Sequence, residues 1–287
     1  MITSELAWGG LGNQLFQYAA GRSLALRHDV NLRLLFNPSD SQRKITPQKL
    51  EISHFNIQAK VISKIQLIEH LVPDSFSSLI KGEFPKTFRE SGLHYDKNFL
   101  KLGPNTRLKG YWQSERYFMS CRKVLREDFR IITPPSKQNI SLMTEISSLP
   151  AVSVHIRRGD YVTNPEANAY HGTCGLKYYK DAMEYVETHM STAPIFFVFS
   201  DDPIWVKQNF KPNFKTFYVD CNDASTSYED LRLMAACKHN IIANSSFSWW
   251  GAWLNKSPGK IVVAPKKWYA DTSINNPDMV PDDWWTC

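Results

Sequence analysis

Short apolar runs alternate with amphipathic stretches throughout the second half of this chain, and no other feature of the sequence constrains the fold as strongly. Each apolar run has the length of a strand, and each amphipathic stretch repeats its apolar residues at helical spacing. The predicted elements, in chain order, are a strand at 151–157, a helix at 176–190, a strand at 195–200, a helix at 203–210, a strand at 216–220, a helix at 228–237, a strand at 240–243, a helix at 247–254 and a strand at 260–264. Strands that alternate with helices in this way form a parallel sheet covered on both faces. The sequence therefore predicts an α/β fold with ligands at the carboxyl ends of the strands.

The first half of the chain opens with the same pattern and then becomes less regular. Its predicted elements are a strand at 2–8, a glycine loop at 9–14, a helix directly after it, a strand at 30–36, and helices at 63–71 and 114–130. Pro134-Pro135 and the polar run after them predict a linker. We place the domain boundary near Leu149–Pro150, which divides the chain into domains at 1–149 and 150–287.

The motif HIRRGD at 155–160 ends the first strand of the second half. Strand alternation places His155 and Arg157 on one face, at the ligand-binding edge of the sheet. An arginine there can bind a phosphate through two hydrogen bonds, and a histidine beside it can bond a phosphate, a ribose or a base. The structural alternative is an ion pair that ties down the loop, with Asp160 holding Arg158.

The motif NSSFSWWG at 244–251 lies at another junction of a strand with a helix. Serines at a helix start are usually simple caps. Here several hydroxyl groups and free backbone N–H groups converge on one helix N-terminus, which suits a diphosphate. The tryptophans of this motif fit the helix core better than a platform for a sugar.

Two further motifs lie at strand ends. The loop GGLGNQ at 9–14 lacks the spacing of the dinucleotide fingerprint, but it allows a close backbone approach to a ligand, with Asn13 as a side-chain donor. Asp201 and Asp202 follow the strand at 195–200, and one helix cap plus one purine or ribose contact explains them as well as a metal does. The chain contains no Asp-x-Asp pair, which counts against a transferase that clamps a diphosphate through a divalent cation. Motifs of serine hydrolases, P-loop kinases and zinc proteases are also absent.

The net charge of +6 is concentrated in a basic segment between Arg107 and Arg130. A solvated helix face, a surface for anionic substrates or phospholipid headgroups, and a nucleic-acid site compete as explanations. The last is the weakest, because zinc-finger spacing and RNA-binding signatures are missing.

Five widely spaced cysteines without a C-x-x-C pair predict a reducing compartment. With no signal peptide and no apolar run of about 20 residues, we expect a cytoplasmic protein.

These motifs, in this order, resemble the α-1,2-fucosyltransferase family of H-antigen type in its short bacterial form. The matching stretches are GGLGNQLFQYAAGRSLALRH, VHIRRGDYV, FVFSDD, NSSFSWWGAWL and VVAPKKW. The segment from about residue 37 to 110 matches least. The motif HIRRGD at 155–160, called the arginine motif below, is shared with α-1,6- and protein O-fucosyltransferases. The likeness therefore supports a GDP-fucose donor more strongly than it supports the 1,2 linkage.

The resemblance implies a two-domain GT-B-like fold whose C-terminal, Rossmann-like half binds GDP-fucose, with an acceptor-side domain before it. It implies an inverting transfer of fucose to the 2-hydroxyl of a terminal β-galactoside, without a metal or a cofactor. Arg157 would bind the β-phosphate and stabilise the departing GDP. The other residues implied to contact the donor are Gly10, Gly12, Asn13, His155, Arg158, Asp201, Asn244, Ser245, Ser246 and Phe247.

The transfer also requires a group that accepts the proton of the acceptor hydroxyl. Asp160, Glu166 and His171 are candidates because they lie in or just after the arginine motif, and Asp160 is preferred. Two alternatives to the main hypothesis stay open: a fucosyltransferase of another linkage, such as α-1,6, and a non-catalytic nucleotide-sugar or glycan-binding module. The expected partners are GDP-fucose and a galactose-terminated glycan of a lipopolysaccharide or capsule, with no nucleic acid. The basic segment also allows peripheral contact with the inner membrane.

Overall fold

The structure is a computed structural model that describes residues 1–6, 9–36, 49–63, 85–274 and 276–287. It divides into two compact units. The first contains Met1–Ile132 and Asn276–Met279, and the second contains Thr133–Asn275 and Val280–Cys287. Among these residues, no helix combines the length and the apolar character that crossing a bilayer requires.

The first unit is built on a five-stranded parallel sheet with the order β3-β2-β1-β5-β4. Its strands are β1 (Ile2–Glu5), β2 (Leu32–Leu35), β3 (Lys60–Ile62), β4 (Lys86–Arg89) and β5 (Thr106–Lys109). The described residues of this unit form the helices α1 (Leu11–Arg27) and α2 (Arg122–Asp128), with 3₁₀ turns at Glu51–His54, Lys97–Lys101, Glu115–Tyr117 and Met119–Cys121.

Helix α1 confirms the helix predicted after the glycine loop. Leu15, Phe16 and Leu24 are fully buried, and α1 packs against β1. Gly21 brings α1 close to the sheet, since a Cβ atom there would lie 2.9 Å from side-chain atoms of Ser4 and Leu32. The strands predicted at 2–8 and 30–36 are observed as the shorter β1 and β2; Ala7 and Trp8 lie outside the described residues, as does nearly all of the helix predicted at 63–71.

The single helix predicted over 114–130 is wrong, because two 3₁₀ turns precede α2. Tyr117 and Phe118 are neighbours and both are buried. The tyrosine packs against Tyr95, with ring centroids 4.8 Å apart, and the phenylalanine packs against Phe16 of α1, at 6.1 Å. A regular helix cannot bury two adjacent aromatic rings in different directions so readily, and Phe118 leaves helical geometry with φ −141°.

The second unit contains a six-stranded parallel sheet with the order β11-β10-β9-β6-β7-β8. Its strands are β6 (Ala151–Ile156), β7 (Ile195–Ser200), β8 (Thr216–Val219), β9 (His239–Ile241), β10 (Val262–Ala264) and β11 (Trp285–Thr286). Its helices are α3 (Lys137–Ser148), α4 (Gly159–Thr163), α5 (Pro165–His171), α6 (Leu176–His189), α7 (Pro203–Asn209), α8 (Ser227–Ala236) and α9 (Ser246–Leu254). The alternation predicted for this half is confirmed, and the α/β class with it.

The order of the strands fixes where a ligand can bind. From β6 the chain adds β7 and β8 on one side, and then returns to place β9 against the other side of β6. The connection that follows β6 therefore runs toward one edge of the sheet, and the connection that follows β9 runs toward the other edge. In parallel α/β sheets such a switch point opens a crevice at the carboxyl ends of the strands. The arginine motif follows β6, and the motif NSSFSWWG at 244–251, called the serine motif below, follows β9. Both motifs therefore flank this crevice.

The linker predicted after Pro135 is wrong, because residues 137–148 form α3. Ser136 caps this helix by accepting a hydrogen bond from the Asn139 amide. The side chain of Asn139 is buried and bonded to Asn222 at 2.8 Å, and α3 packs on α8. For this reason the structure divides after Ile132 and not at the predicted Leu149–Pro150.

Candidate active site

Three loops of the second unit meet at the carboxyl edge of its sheet, after β6, β7 and β9. The register between the strands pairs His155 with Phe199 and Ile156 with Ser200. The next residues along each chain segment, Arg157 and Asp201, consequently lie side by side. The structure thus brings together the arginine motif and the acidic pair that were separate motifs in the sequence.

Arg157 is held by two carboxylates. Its Nη1 atom pairs with Oδ2 of Asp201 at 2.8 Å, and its Nη2 atom donates to Oδ1 of Asp160 at 2.6 Å. Burial opposes the charge of Arg157, but the two carboxylates outweigh it and raise its pKa above the usual value. The side chain is 27% exposed, so the guanidinium is fixed in direction and still reachable from solvent.

The ion-pair alternative predicted that Asp160 holds Arg158, but the structure shows other partners for this arginine. Its Nε atom donates to Asp202 at 3.1 Å, and its guanidinium carbon lies 3.4 Å from the centre of the Trp205 ring. Its backbone N–H donates to Oδ1 of Asp201 at 2.8 Å. Arg158 therefore ties the loop after β6 to the loop after β7, and Asp160 holds Arg157 instead.

Asp201 is the point where these contacts converge. One carboxylate oxygen accepts the Arg158 amide and the other pairs with Arg157. Gly159 lies against the same carboxylate, because a Cβ atom there would be 2.3 Å from Oδ2. Asp201 thus orients an arginine, whereas the resemblance had implied a contact with the donor.

His155 is buried beneath this arginine, with 4% of its surface exposed. Burial, and secondarily the charge of Arg157, lower its pKa from 6.5 to about 3, so the ring is neutral. Its Nδ1 atom is buried and has no hydrogen-bond partner in the part of the chain that the structure describes. The ring centroid of His155 lies 5.6 Å from that of Phe247. The two residues, both of which the resemblance implied to bind the sugar nucleotide, are therefore neighbours.

Asn244 anchors the loop after β9. Its Nδ2 atom donates to the carbonyl oxygens of His171 at 2.9 Å, Trp268 at 3.1 Å and Gly172 at 3.3 Å. The side chain is buried, and its Oδ1 atom accepts a weak hydrogen bond from Cys174. Its amide therefore joins the loop after β9 to two other segments, at 171–172 and at Trp268, and its hydrogen bonds are used within the protein.

Ser245 and Ser246 lie at the start of α9. Ser245 occupies the N-cap position, and its hydroxyl makes no capping hydrogen bond to α9. Such a helix start favours an anion. Trp249, Trp250 and Trp253 are buried in the core, as the sequence indicated.

Tyr161 is a residue of this site that the motif analysis did not single out. Its ring centre lies 5.2 Å from the guanidinium carbon of Arg157. The ring of His171 stacks on the Tyr161 ring, with centroids 4.4 Å apart and an angle of 4° between the planes. Burial lowers the pKa of His171 to about 4, which leaves a neutral imidazole close to Asp160. Glu166 lies in the first turn of α5 and is exposed. The sequence signal that could have found Tyr161 is its position directly after the motif.

Gly10, Gly12 and Asn13 belong to the first unit and begin α1. Gly9 needs a positive φ of 88°, and the Asn13 side chain fills the space where a Cβ atom of Gly9 would lie. Oδ1 of Asn13 accepts a hydrogen bond from Gln113 at 2.8 Å.

Gln14 joins this loop to the segment at 49–52. Its Oε1 atom accepts the amides of Glu51 and Ile52, both at 3.1 Å, and its Nε2 atom donates to Lys49 O at 2.6 Å. The backbone N–H of Leu11 donates to the Glu51 carboxylate at 3.0 Å. The contacts of the protein itself therefore determine the shape of the glycine loop.

Across the described ranges, no three His, Cys, Asp or Glu side chains come together in a way that suits a metal ion. The absence of a metal from the reaction stays a prediction of the sequence.

The comparisons with known proteins agree on one class. The profile described as glycosyl transferase family 11 matches residues 6–286. The alpha-1,2-colitosyltransferase of Escherichia coli is 34% identical, over 99% of this chain and 98% of that protein. The O-antigen biosynthesis glycosyltransferase WbnK of Escherichia coli is 32% identical, over 96% of this chain and 97% of that protein. Among solved structures, NodZ alpha-1,6-fucosyltransferase from Bradyrhizobium, soaked with GDP-fucose, matches with a TM-score of 0.54 and 16% identity, over 96% of this chain and 99% of that one. At this identity the structural likeness shows the fold alone.

Proposed function

Because the chain belongs to glycosyl transferase family 11, the α-1,2-fucosyltransferase family, we propose that it transfers L-fucose from GDP-fucose to the 2-hydroxyl of a terminal β-galactoside. The chain is a glycosyltransferase with the GT-B fold, as the resemblance predicted. The acceptor would be part of a bacterial surface polysaccharide, in keeping with the relative named for O-antigen biosynthesis. The reaction would invert the configuration at the sugar and would use no metal ion.

The observation that carries this proposal is the placement of Arg157. It lies at the switch point of the sheet, is partly exposed, and is directed by two carboxylates. In glycosyl transfer the bond between the sugar and the diphosphate breaks, and negative charge grows on the departing phosphate. Without a metal ion, a fixed protein cation must stabilise that charge. Arg157 would do so at the β-phosphate.

The remaining donor contacts follow from the same edge of the sheet. The start of α9, with Ser245 and Ser246, would accept part of the diphosphate. The neutral ring of His155 and the ring of Phe247 lie next to each other and would contact the nucleoside. We assign Asp201 and Asn244 to positioning, because their polar atoms already serve Arg157, Arg158 and three backbone carbonyls. Gly10, Gly12 and Asn13 keep their role as predicted from the sequence.

A second donor sugar is favoured by one specific observation, the 34% identity with a colitosyltransferase. Colitose is L-fucose without the hydroxyl at carbon 3, so the two donors differ by one polar group. A site that hydrogen-bonds this hydroxyl would discriminate strongly against colitose. The ratio of kcat/KM for GDP-fucose and GDP-colitose on the same acceptor decides between them.

The experiment that tests the proposal measures GDP release from GDP-fucose with a panel of galactose-terminated acceptors, followed by linkage analysis of the product. We expect a 1,2 linkage, activity in the presence of EDTA, and a loss of about 10²- to 10³-fold in kcat for Arg157→Ala. Arg130→Ala, at an exposed position of the first unit, is the matched control. A 1,6-linked product would support the alternative linkage. Binding of GDP-fucose without any release of GDP would support a non-catalytic module.

Peripheral contact with the inner membrane is proposed for the basic segment between Arg107 and Arg130. Part of this charge is already neutralised, since Arg107 and Lys109 pair with Glu5 and Arg116 pairs with Asp278. Co-sedimentation with vesicles that contain phosphatidylglycerol, compared with neutral vesicles, tests the contact. Equal recovery in the supernatant with both kinds of vesicle would exclude it.

A further inference from the structure

The carboxylates that hold Arg157 leave other donors of its guanidinium for a ligand. Asp160 and Asp201 engage its two terminal nitrogens, at 2.6 and 2.8 Å, and each of these nitrogens carries a second N–H group. A phosphate can therefore bind Arg157 while both carboxylates stay in place. Two hydrogen bonds alone leave the group able to rock about the line that joins them, so a third contact is needed to keep the remaining N–H groups in one direction.

Tyr161 supplies a third contact to Arg157. The guanidinium carbon lies over the tyrosine ring, 5.2 Å from its centre. A cation at this distance from an aromatic face is attracted to it, and the attraction is stronger where water is excluded. The side chain of Arg157 is only 27% exposed, so the ring both attracts the guanidinium and limits its movement.

Tyr161 is itself fixed by its surroundings. It is 9% exposed, and the ring of His171 stacks on it at 4.4 Å. Its backbone oxygen accepts a hydrogen bond from Nδ2 of Asn168 at 2.5 Å. Burial raises the pKa of the phenol, so the hydroxyl keeps its proton and donates to the backbone oxygen of Asn244 at 3.4 Å. The ring that Arg157 contacts is consequently held in one position.

The contact with Asn244 extends this arrangement to the start of α9. Asn244 lies directly before Ser245, the N-cap residue of that helix. Arg157 follows β6, whereas α9 follows β9, so the two groups that would bind the diphosphate belong to different loops. Tyr161 contacts both loops through one side chain.

Building on the proposed function, we propose that Tyr161 is a positioning residue for fucosyl transfer, whose ring keeps Arg157 directed at the β-phosphate and at a constant distance from the start of α9. Displacement of a reacting group by about 1 Å can cost about 10²-fold in rate. Tyr161 acts through Arg157 and does not itself contact the reacting atoms.

The affinities for GDP and GMP separate this role from general support of the fold. The two ligands differ by the β-phosphate, so the ratio of their affinities reports what Arg157 contributes to that group. Calorimetric titration of the full-length protein measures both. We expect Tyr161→Leu to weaken GDP binding about tenfold, to leave GMP binding within about twofold, and to lower kcat about 10- to 100-fold. Tyr161→Phe keeps the ring and loses one long hydrogen bond, so its values stay within about threefold of wild type. A phenylalanine variant as impaired as the leucine variant would contradict the role of the ring.

Tyr170→Leu is the matched control. Tyr170 contacts the same His171 ring, with centroids 4.6 Å apart, and is 37% exposed. This variant is expected to keep both kcat and the ratio of GDP to GMP affinity. Equal losses in Tyr170→Leu and Tyr161→Leu would show that only the packing of these rings matters, and would overturn the proposal.

A double variant tests whether the tyrosine acts through the arginine. Arg157→Ala combined with Tyr161→Leu is expected to bind GDP within about twofold of Arg157→Ala alone. A further tenfold loss in the double variant would overturn the proposal. Should Tyr161→Leu fail to fold, as judged by circular dichroism, Tyr161→Met fills the space without an aromatic face and gives the same readings. If the wild-type protein binds GDP no more tightly than GMP, the proposed function fails instead, so the two failures are distinguishable.

Discussion

Gly159 and Asp201 are in direct contact: a Cβ atom at position 159 would lie 2.3 Å from Oδ2 of the carboxylate. That oxygen is the one that pairs with Arg157. The glycine is therefore required by a neighbouring side chain and not by an unusual backbone angle.

Replacement of Gly159 by alanine is expected to push Asp201 away from Arg157. The arginine then loses one of its two orienting carboxylates, and kcat/KM for fucosyl transfer falls about 10- to 100-fold, as small misplacements of a charged group do. Gly103→Ala is the control, because a Cβ atom there meets nothing within 4 Å. Steady-state kinetics of both variants check the prediction, which fails if they are equally active.

Asn244→Asp tests whether Asn244 anchors the loop after β9. The change keeps the shape of the side chain but replaces its donor by an oxygen that faces three backbone carbonyls. We expect the free energy of unfolding of the second unit to fall by about 2–4 kcal/mol. Urea denaturation followed by tryptophan fluorescence measures it. Asn209→Asp, where the amide is exposed and bonds one carbonyl, is the control and should change stability by less than about 1 kcal/mol. Similar losses in both variants would contradict the anchor.

His155 makes stability depend on pH. Its pKa is 6.5 when unfolded and about 3 when folded, mainly because of burial. Between these values the unfolded chain binds a proton that the folded chain does not, so this contribution to stability is complete above pH 6.5 and is lost as the pH falls. The slope is about 1.4 kcal/mol per pH unit for one group.

Denaturant midpoints of wild type and His155→Gln between pH 7 and pH 4.5 check this contribution. The variant is expected to lose stability less steeply on acidification. His94→Gln, at an exposed position, controls for the removal of an imidazole. Parallel curves for wild type and His155→Gln would show that the buried ring does not act in this way.

Gln14→Glu tests whether the glycine loop is shaped by its own contacts. The amide uses both ends, with the oxygen on two backbone N–H groups and the nitrogen on Lys49 O at 2.6 Å. A carboxylate would repel that carbonyl, so we expect a loss of about 1–3 kcal/mol in the stability of the first unit. Thermal unfolding measures it, with the exposed Gln58→Glu as the control. An unchanged midpoint for Gln14→Glu would mean that the amide is not an anchor.

The sequence predicts five of the six strands and four of the seven helices that the structure describes in the second unit, and it misses α3, α4, α5 and β11. The strands of this unit are buried on both faces, so they appear as apolar runs such as 195–200, and the turns between them end each run clearly. Helix α3 could not be predicted in this way, because its buried residues are only Asn139 and Ile146. A helix that buries so little has no apolar stripe to recognise.

Apart from Tyr161, the members of the candidate site could be predicted from the sequence, but their contacts could not. The motifs identified Arg157, Asp160 and Asp201, yet the register between β6 and β7 decides that Asp201 reaches the arginine. The resemblance implied that Asn244 contacts the donor. Only the positions of His171, Trp268 and Gly172 show that its hydrogen bonds are already made.

The parallel arrangement of both sheets has a consequence for how the chain reaches this structure. Not one pair among β1 to β11 is antiparallel, so no hairpin can start either sheet. Thr3 must find Arg107, and Val152 must find His239, before the central strands are satisfied on both edges. Such distant partners make folding slow, and apolar strand edges stay open to other molecules in the meantime. Recovery from urea is for this reason expected to decline as the protein concentration rises.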